Sequence, residues 1–377
     1  MCMARRPIAD VVTRVIMGVL LAGEIAVGLT TLAAADGRRD DDVTRFFEIA
    51  TRSGEPYRDF QVEYTPLQTV LIEQLAGETV EDTYRRVVIL AVLLHTATFV
   101  VMLWGWGARE AQAYLLLCVP LLPFLFVRVD LLSVLAAASG MAFLSRHRGI
   151  AAGSALAIGV LAKLWPGAIA PALLRARSRS GIWAFTIACA AGLGAWLLHG
   201  GGSSVGQVVT LRGATGWQFE STVGSILWAA GGDLRWEAGA LRVGTLPIVA
   251  YPLISLVGAV VVAAAWLRRR APGVDPAGVR SLVTVTAVVT LSPLFSLQYA
   301  IWLVPWTAIA LAEGGHSRRY AMLGATAIVA TGLLALAYAD IVSGPWLEAA
   351  TKVVLLARNG ACVALVAAWF ADPRPPE

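Results

Sequence analysis

Long apolar stretches alternate with short polar ones along most of the chain. Uninterrupted apolar stretches of this length match the roughly 20 residues a helix needs to cross a bilayer. The pattern predicts about twelve hydrophobic segments. They lie near Val11–Ala35, Arg86–Gly107, Ala111–Val127, Leu131–Leu144, Ile150–Ala162, Leu164–Leu174, Ile182–Leu198, Thr245–Leu267, Val279–Leu297, Ala300–Ala312, Tyr320–Ala339 and Glu348–Phe370. Several middle segments are short for a span and read as tilted, broken or re-entrant, which a membrane tolerates where backbone lines a cavity. Two long polar stretches, residues 36–85 and 200–244, interrupt the pattern. The predicted fold is therefore an all-α polytopic membrane protein of one domain over residues 1–377, with these stretches as large outer loops.

Composition agrees. Only 15% of the 377 residues are charged, against about 25% in a typical soluble domain, too few to cover a soluble fold of this size. The net charge is +5, and much of the Arg sits in short clusters between apolar runs: Arg146/Arg148, Arg175/Arg177/Arg179, Arg268–Arg270 and Arg318/Arg319. That is the signature of cytoplasmic loops, and it puts both termini inside. The first outer loop also carries Arg, but mixed with many acids and in a long loop, where charge has little influence on topology. The basic balance thus points to no nucleic acid. The first segment is long enough to remain as a helix rather than a cleaved signal. Cys118, Cys189 and Cys362 lie in apolar runs without ligand spacing, and the four histidines show none either, so no metal site and no cofactor are expected.

The chemistry concentrates in the outer loops. Asp40-Asp41-Asp42 directly follows the first span, where an acid could serve as general base beside a lipid-borne substrate or simply form a solvated turn. Asp59 and Glu63 could orient hydroxyls or anchor the loop to Arg52 or Arg58. Lys163 is one of two lysines in the chain and stands at a break before Pro166. It is a functional candidate by depth or an interfacial snorkelling lysine. Glu24, inside the first apolar run, calls for a partner; Arg14, Lys352 and Arg358 are candidates. Trp217, Trp228 and Trp236 suit either sugar stacking or an interfacial belt.

Several stretches, in order, carry a resemblance. Asp42-x-x-x-Phe46 is followed by Gly54-Glu55-Pro56-Tyr57-Arg58-Asp59-Phe60 and Glu63-Tyr64-Thr65-Pro66-Leu67. Further on stand Arg128-Val129-Asp130, Gly153 through Lys163-Leu164-Trp165-Pro166, Trp217-Gln218-Phe219-Glu220-Ser221, and Ser296-Leu297-Gln298-Tyr299 with Trp302 and Pro305. This series resembles glycosyltransferase family 87 of the GT-C superfamily over roughly residues 11–310. Thr65, Leu297 and Arg128 depart from the family pattern, which bears on loop shape and sugar choice.

The resemblance implies a GT-C-like fold and transfer of a sugar, with mannose favoured, from a polyprenyl-phosphate donor to a glycolipid or glycan acceptor. The anomeric centre would be inverted, and the site would face the extracytoplasmic side of a bacterial plasma membrane. Asp42 matches the family's catalytic acid, with Asp41 as its adjacent competitor. Asp59, Glu63, Tyr64, Arg128, Asp130, Lys163, Arg212, Gln218, Glu220, Gln298 and Tyr299 are the expected substrate contacts. The cations among them would stabilise the departing phosphate. The rival class is a polyprenyl-linked sugar flippase or another transporter, although the paired halves common in transporters are not evident.

Overall fold

The chain folds as a helical bundle whose polar loops gather at one end. The structure is a computed structural model and describes residues 6–33, 41–210, 213–268, 276–337 and 345–372. The first half contains α1 (Arg6–Ala33), α2 (Asp41–Thr51), α3 (Pro66–Leu75), α4 (Val80–Gly105), α5 (Ala108–Cys118), α6 (Leu122–Leu125), α7 (Leu131–Ser145), α8 (Gly149–Ala162), α9 (Pro171–Arg175), α10 (Arg179–Gly200) and α11 (Gly202–Val209). The second half contains α12 (Thr222–Ala229), α13 (Ala250–Leu267), α14 (Ser281–Leu291), α15 (Val304–Glu313), α16 (Arg318–Ala337) and α17 (Pro345–Ala371).

Among the described residues, seven helical stretches are long and apolar enough to cross a membrane, and three shorter apolar helices accompany them. Not every one of the twelve expected segments forms a single helix, for local reasons. Leu164–Leu174 does not form one helix, because Pro166 and Pro171 each remove a backbone donor. It breaks into a 3-10 turn at Trp165–Ala168 and the short α9. Leu297–Leu303 is likewise a 3-10 segment leading into α15. α10 and α13 turn large apolar side chains outward, including Trp183, Leu198, Leu253 and Leu256. A bilayer would cover such a surface.

The expected outer loops are more structured than their polarity suggested. α2 and α3 lie within residues 36–85, and α4 begins at Val80, capped by the Thr79 hydroxyl on the Asp82 N–H. Glu81 and Asp82 sit in its first turn, where carboxylates complement the helix dipole. Residues 200–244 hold α11, α12 and a three-stranded antiparallel sheet, an exception to the all-α expectation. Its strands are β1 (Trp217–Gln218), β2 (Arg235–Glu237) and β3 (Ala240–Val243), in the order β1-β3-β2. Ala238 and Gly239 both have positive φ between β2 and β3, as a tight hairpin turn requires.

The described members of the Arg clusters lie toward the end opposite this sheet. Arg146 donates to the Trp104 carbonyl at the C-terminus of α4. Arg268 donates to the carbonyls of Phe370 and Asp372, and Arg319, His316 and Tyr320 reach the Asp372 carboxylate. Close helix packing supports the bundle: a Cβ on Gly153 would strike the Gly181 carbonyl of α10. Glu24 finds its partner in His95, at 2.7 Å, rather than in Arg14, Lys352 or Arg358. His95 also contacts the Tyr114 hydroxyl at 3.0 Å, so the pair links α1, α4 and α5.

Helix length sets the depth of the polar end. α4 has 26 residues and α7 only 15, or about 39 Å and about 22 Å at the usual rise. Both meet the Arg-rich end. The N-terminus of α7 therefore lies well below that of α4, inside the bundle.

Candidate active site

The site is built where the short helices stop. Asp130 precedes α7, and Lys163 follows α8 in extended conformation, which ends that helix. The two side chains meet at 2.8 Å from Nζ to Oδ1. The same Asp130 oxygen accepts the Trp302 indole N–H at 2.7 Å. Trp302 stacks on Tyr299 at 4.0 Å and on Trp165 at 5.4 Å, and Trp165 donates to the Ser133 hydroxyl. The Lys163 ammonium lies 5.2 Å from the Tyr299 ring centre and 5.4 Å from that of Trp302. Asp130 is buried and does not line the cavity. It holds the cation and the aromatic stack that do.

Across from this group, Asp42 lies in the first turn of α2 and approaches Arg128 at 3.4 Å. Val43, Phe46 and Ile49 of α2 are buried, which fixes its first turn. Glu63 is paired with Arg45 at 3.2 Å, and Tyr64 packs edge-on against Phe46.

The third wall comes from the second loop. Gln218 accepts the Phe295 N–H at 2.9 Å and donates to the Ser296 hydroxyl at 3.0 Å and to Glu220 Oε2 at 2.5 Å. Arg358 and Asn359 of α17 both donate to the Glu220 carbonyl. Glu220 is 2% exposed, and its Oε1 makes no hydrogen bond. Burial pushes its carboxyl up to about 7, against the opposing pull of the Arg358 guanidinium and the Leu297 N–H.

These walls enclose one cavity of about 1230 Å3. Asp42, Glu63, Tyr64, Arg128, Lys163, Gln218, Glu220, Gln298 and Tyr299 line it. Its other walls are apolar, with Ile254, Gly258, Ala259 and Val262 of α13, Val288 of α14 and Pro171 of α9. A charged end thus opens onto an apolar passage, which suits a ligand with a polar head and a hydrocarbon tail.

Some expected residues fall elsewhere. Asp59 is exposed and away from the cavity; its carboxylate accepts the Glu55 N–H at 2.6 Å and shapes the turn at Gly54. Arg58 is paired with Glu55 and reaches the Leu198 carbonyl. Trp228 is buried against Phe219, whereas Trp236 is 68% exposed and lines the cavity. Arg212 and the Asp41 side chain lie outside the described residues. Sequence reasoning missed Arg242, which lines the cavity and donates to the Gly216 carbonyl at 3.0 Å. Its only signal was an arginine in a polar loop. No protein-family model, curated protein or solved structure matches the chain.

Proposed function

We propose that the chain is a membrane glycosyltransferase that moves a sugar, with mannose favoured, from a polyprenyl-phosphate donor to a glycolipid or glycan acceptor. The observation that supports this reading is a cavity in which a carboxylate, Asp42, and two cations, Arg128 and Lys163, face an apolar passage. A prenyl chain needs the passage, and a phosphate needs the cations. An acceptor hydroxyl needs a base. Asp42 accepts the acceptor proton as its oxygen attacks C1, and the C1–O bond to phosphate breaks on the opposite face, with inversion. Arg128 and Lys163 bear the charge that grows on the departing phosphate, where a partly dry site makes them more effective than in water. The reading places the site on the extracytoplasmic side of the bacterial plasma membrane, because the Arg clusters occupy the other end.

The test is transfer of radiolabelled mannose from its polyprenyl-phosphate carrier to added glycolipid by purified protein in lipid. Wild type transfers label. Asp42→Asn, while still binding donor, loses transfer by about 10²–10⁴-fold, the range for a lost general base. Wild type that moves the intact lipid-linked sugar between leaflets without breaking the C1–O bond would instead be a flippase, and the proposal would fail.

A further inference from the structure

The Glu220 carboxyl has no role in the steps described so far, yet its setting is unusual. It lines the cavity, is almost fully buried, and leaves Oε1 without a hydrogen bond. Gln218 holds Oε2 at 2.5 Å and is itself fixed by the Phe295 N–H and Ser296, so the carboxyl has little freedom to turn away. A buried unpaired acceptor is costly for a carboxylate. Protonation removes that cost and makes the carboxyl a donor in a residue that lines the cavity.

Resting on the glycosyl-transfer reading, we infer that Glu220 is a protonated acid that donates a hydrogen bond, and then its proton, to the phosphate of the lipid donor. The chemistry needs such a group. Arg128 already lies on Asp42, Lys163 on Asp130 and Arg45 on Glu63. An ionised fourth carboxylate would repel a phosphate, whereas a neutral one binds it. In the transfer step the acceptor O–C1 bond forms as the C1–O bond to phosphate breaks. The acceptor proton goes to Asp42, and the Glu220 proton goes to the departing phosphate oxygen. The phosphate leaves as a protonated monoanion rather than a dianion. Water then removes the proton from Asp42 and returns one to Glu220, so no net proton is consumed at the enzyme.

The ionisable groups facing Glu220 are Arg358 of α17, Asp42 of α2, Arg128 before α7 and Tyr299 of the 3-10 segment. Burial outweighs the two arginines, and the acid titrates near 7. Its proton is present below that pH and lost above it. A carboxylic acid kept neutral by an apolar site so that it can donate is an established device of enzyme sites.

The experiment measures binding of farnesyl phosphate to purified protein in lipid nanodiscs across pH, for wild type, Glu220→Gln and Glu220→Asp. Glutamine keeps a donor but cannot titrate, so it also subtracts the ionisation of the phosphate itself. From about pH 6 to about pH 8.5, wild type loses about thirtyfold more affinity than Glu220→Gln, as expected for one proton lost near 7. Glu220→Asp, which still titrates, keeps the extra pH dependence at weaker affinity. It also carries the test if Glu220→Gln does not fold. Parallel curves for wild type and Glu220→Gln, or a pH-independent Glu220→Asp, overturn the inference. If wild type transfers sugar while the curves are parallel, glycosyl transfer stands and the acid role falls. If the extra pH dependence appears without any sugar transfer, the phosphate-binding acid stands and the transferase reading falls.

Discussion

Replacing Asp130 by Asn tests whether this residue works through Lys163 and Trp302 rather than on a ligand. The carboxylate is buried and its Oδ1 receives two donors, the ammonium at 2.8 Å and the indole at 2.7 Å. Removing one partner of a buried ion pair costs about 3–5 kcal/mol. Lys163 is 18% exposed toward the cavity, so water relieves part of that. Asparagine also still offers one oxygen. The expected loss is about 2–3 kcal/mol for Asp130→Asn, and similar for Lys163→Met, which leaves the buried carboxylate without its cation. The pair should be strongly non-additive: Asp130→Asn/Lys163→Met costs about 2 kcal/mol less than the sum of the singles, because the second change removes the charge that the first one strands. The assay is equilibrium unfolding of the four proteins in mixed micelles, followed by tryptophan fluorescence. Additivity to within about 0.5 kcal/mol would refute the reasoning, since it would mean that the two groups do not sense one another.

Three further outcomes follow from the structure. Gly153→Leu prevents α8 from meeting α10, because even a Cβ there strikes the Gly181 carbonyl; the variant loses about 3 kcal/mol or more, as overpacking does at its upper end, and yields of folded protein in detergent report it. Burial alone would raise the Asp372 carboxyl, but hydrogen bonds from Arg319, Tyr320 and His316 hold it well below its ordinary value of 3.8. Its contribution to stability is thus present above about pH 4 and is lost as the pH falls further; melting curves on acidification should drop more steeply for wild type than for Asp372→Asn, and equal slopes would contradict the assignment. Sugar transfer by the proposed route uses a carboxylate base and organic cations, so it should persist at full rate in excess EDTA; loss of turnover restored by a divalent cation would show that the route is incomplete.

The parts of the fold that were legible in the sequence are those set by hydrophobicity alone. The segments predicted at Leu131–Leu144 and Ile150–Ala162 fall within a residue of α7 and α8. The hairpin from Arg235 to Val243 was not legible, since its polar and small residues look like loop until β3 pairs with both neighbours. Partners were the harder matter. Glu24 and His95 lie 71 positions apart, and no local pattern links them; only the packing of α1 on α4 does. The candidate site shows the same division. Asp42, Arg128, Lys163 and Glu220 were singled out by residue type and motif, and they line one cavity. That Asp130 lies behind the wall, and that Asp59 shapes a turn outside it, depends on backbone geometry that residue type does not carry.

The unequal helices have a consequence for energy coupling. The polar end of α7 sits about 16 Å below the N-terminus of α4 on the usual helical rise, so water entering from that side would reach down to Lys163. Across such a water-filled bowl the electrical potential barely falls. Nearly all of the membrane voltage would drop over the remaining thickness between the bowl's floor and the Arg-rich end. Each unit charge moved fully across that septum would exchange about 2.3 kcal/mol per 100 mV. A proton passing among Asp42, Glu220 and bulk water on the open side would exchange almost none. Turnover would then run at the same rate in an energised vesicle as in a collapsed one.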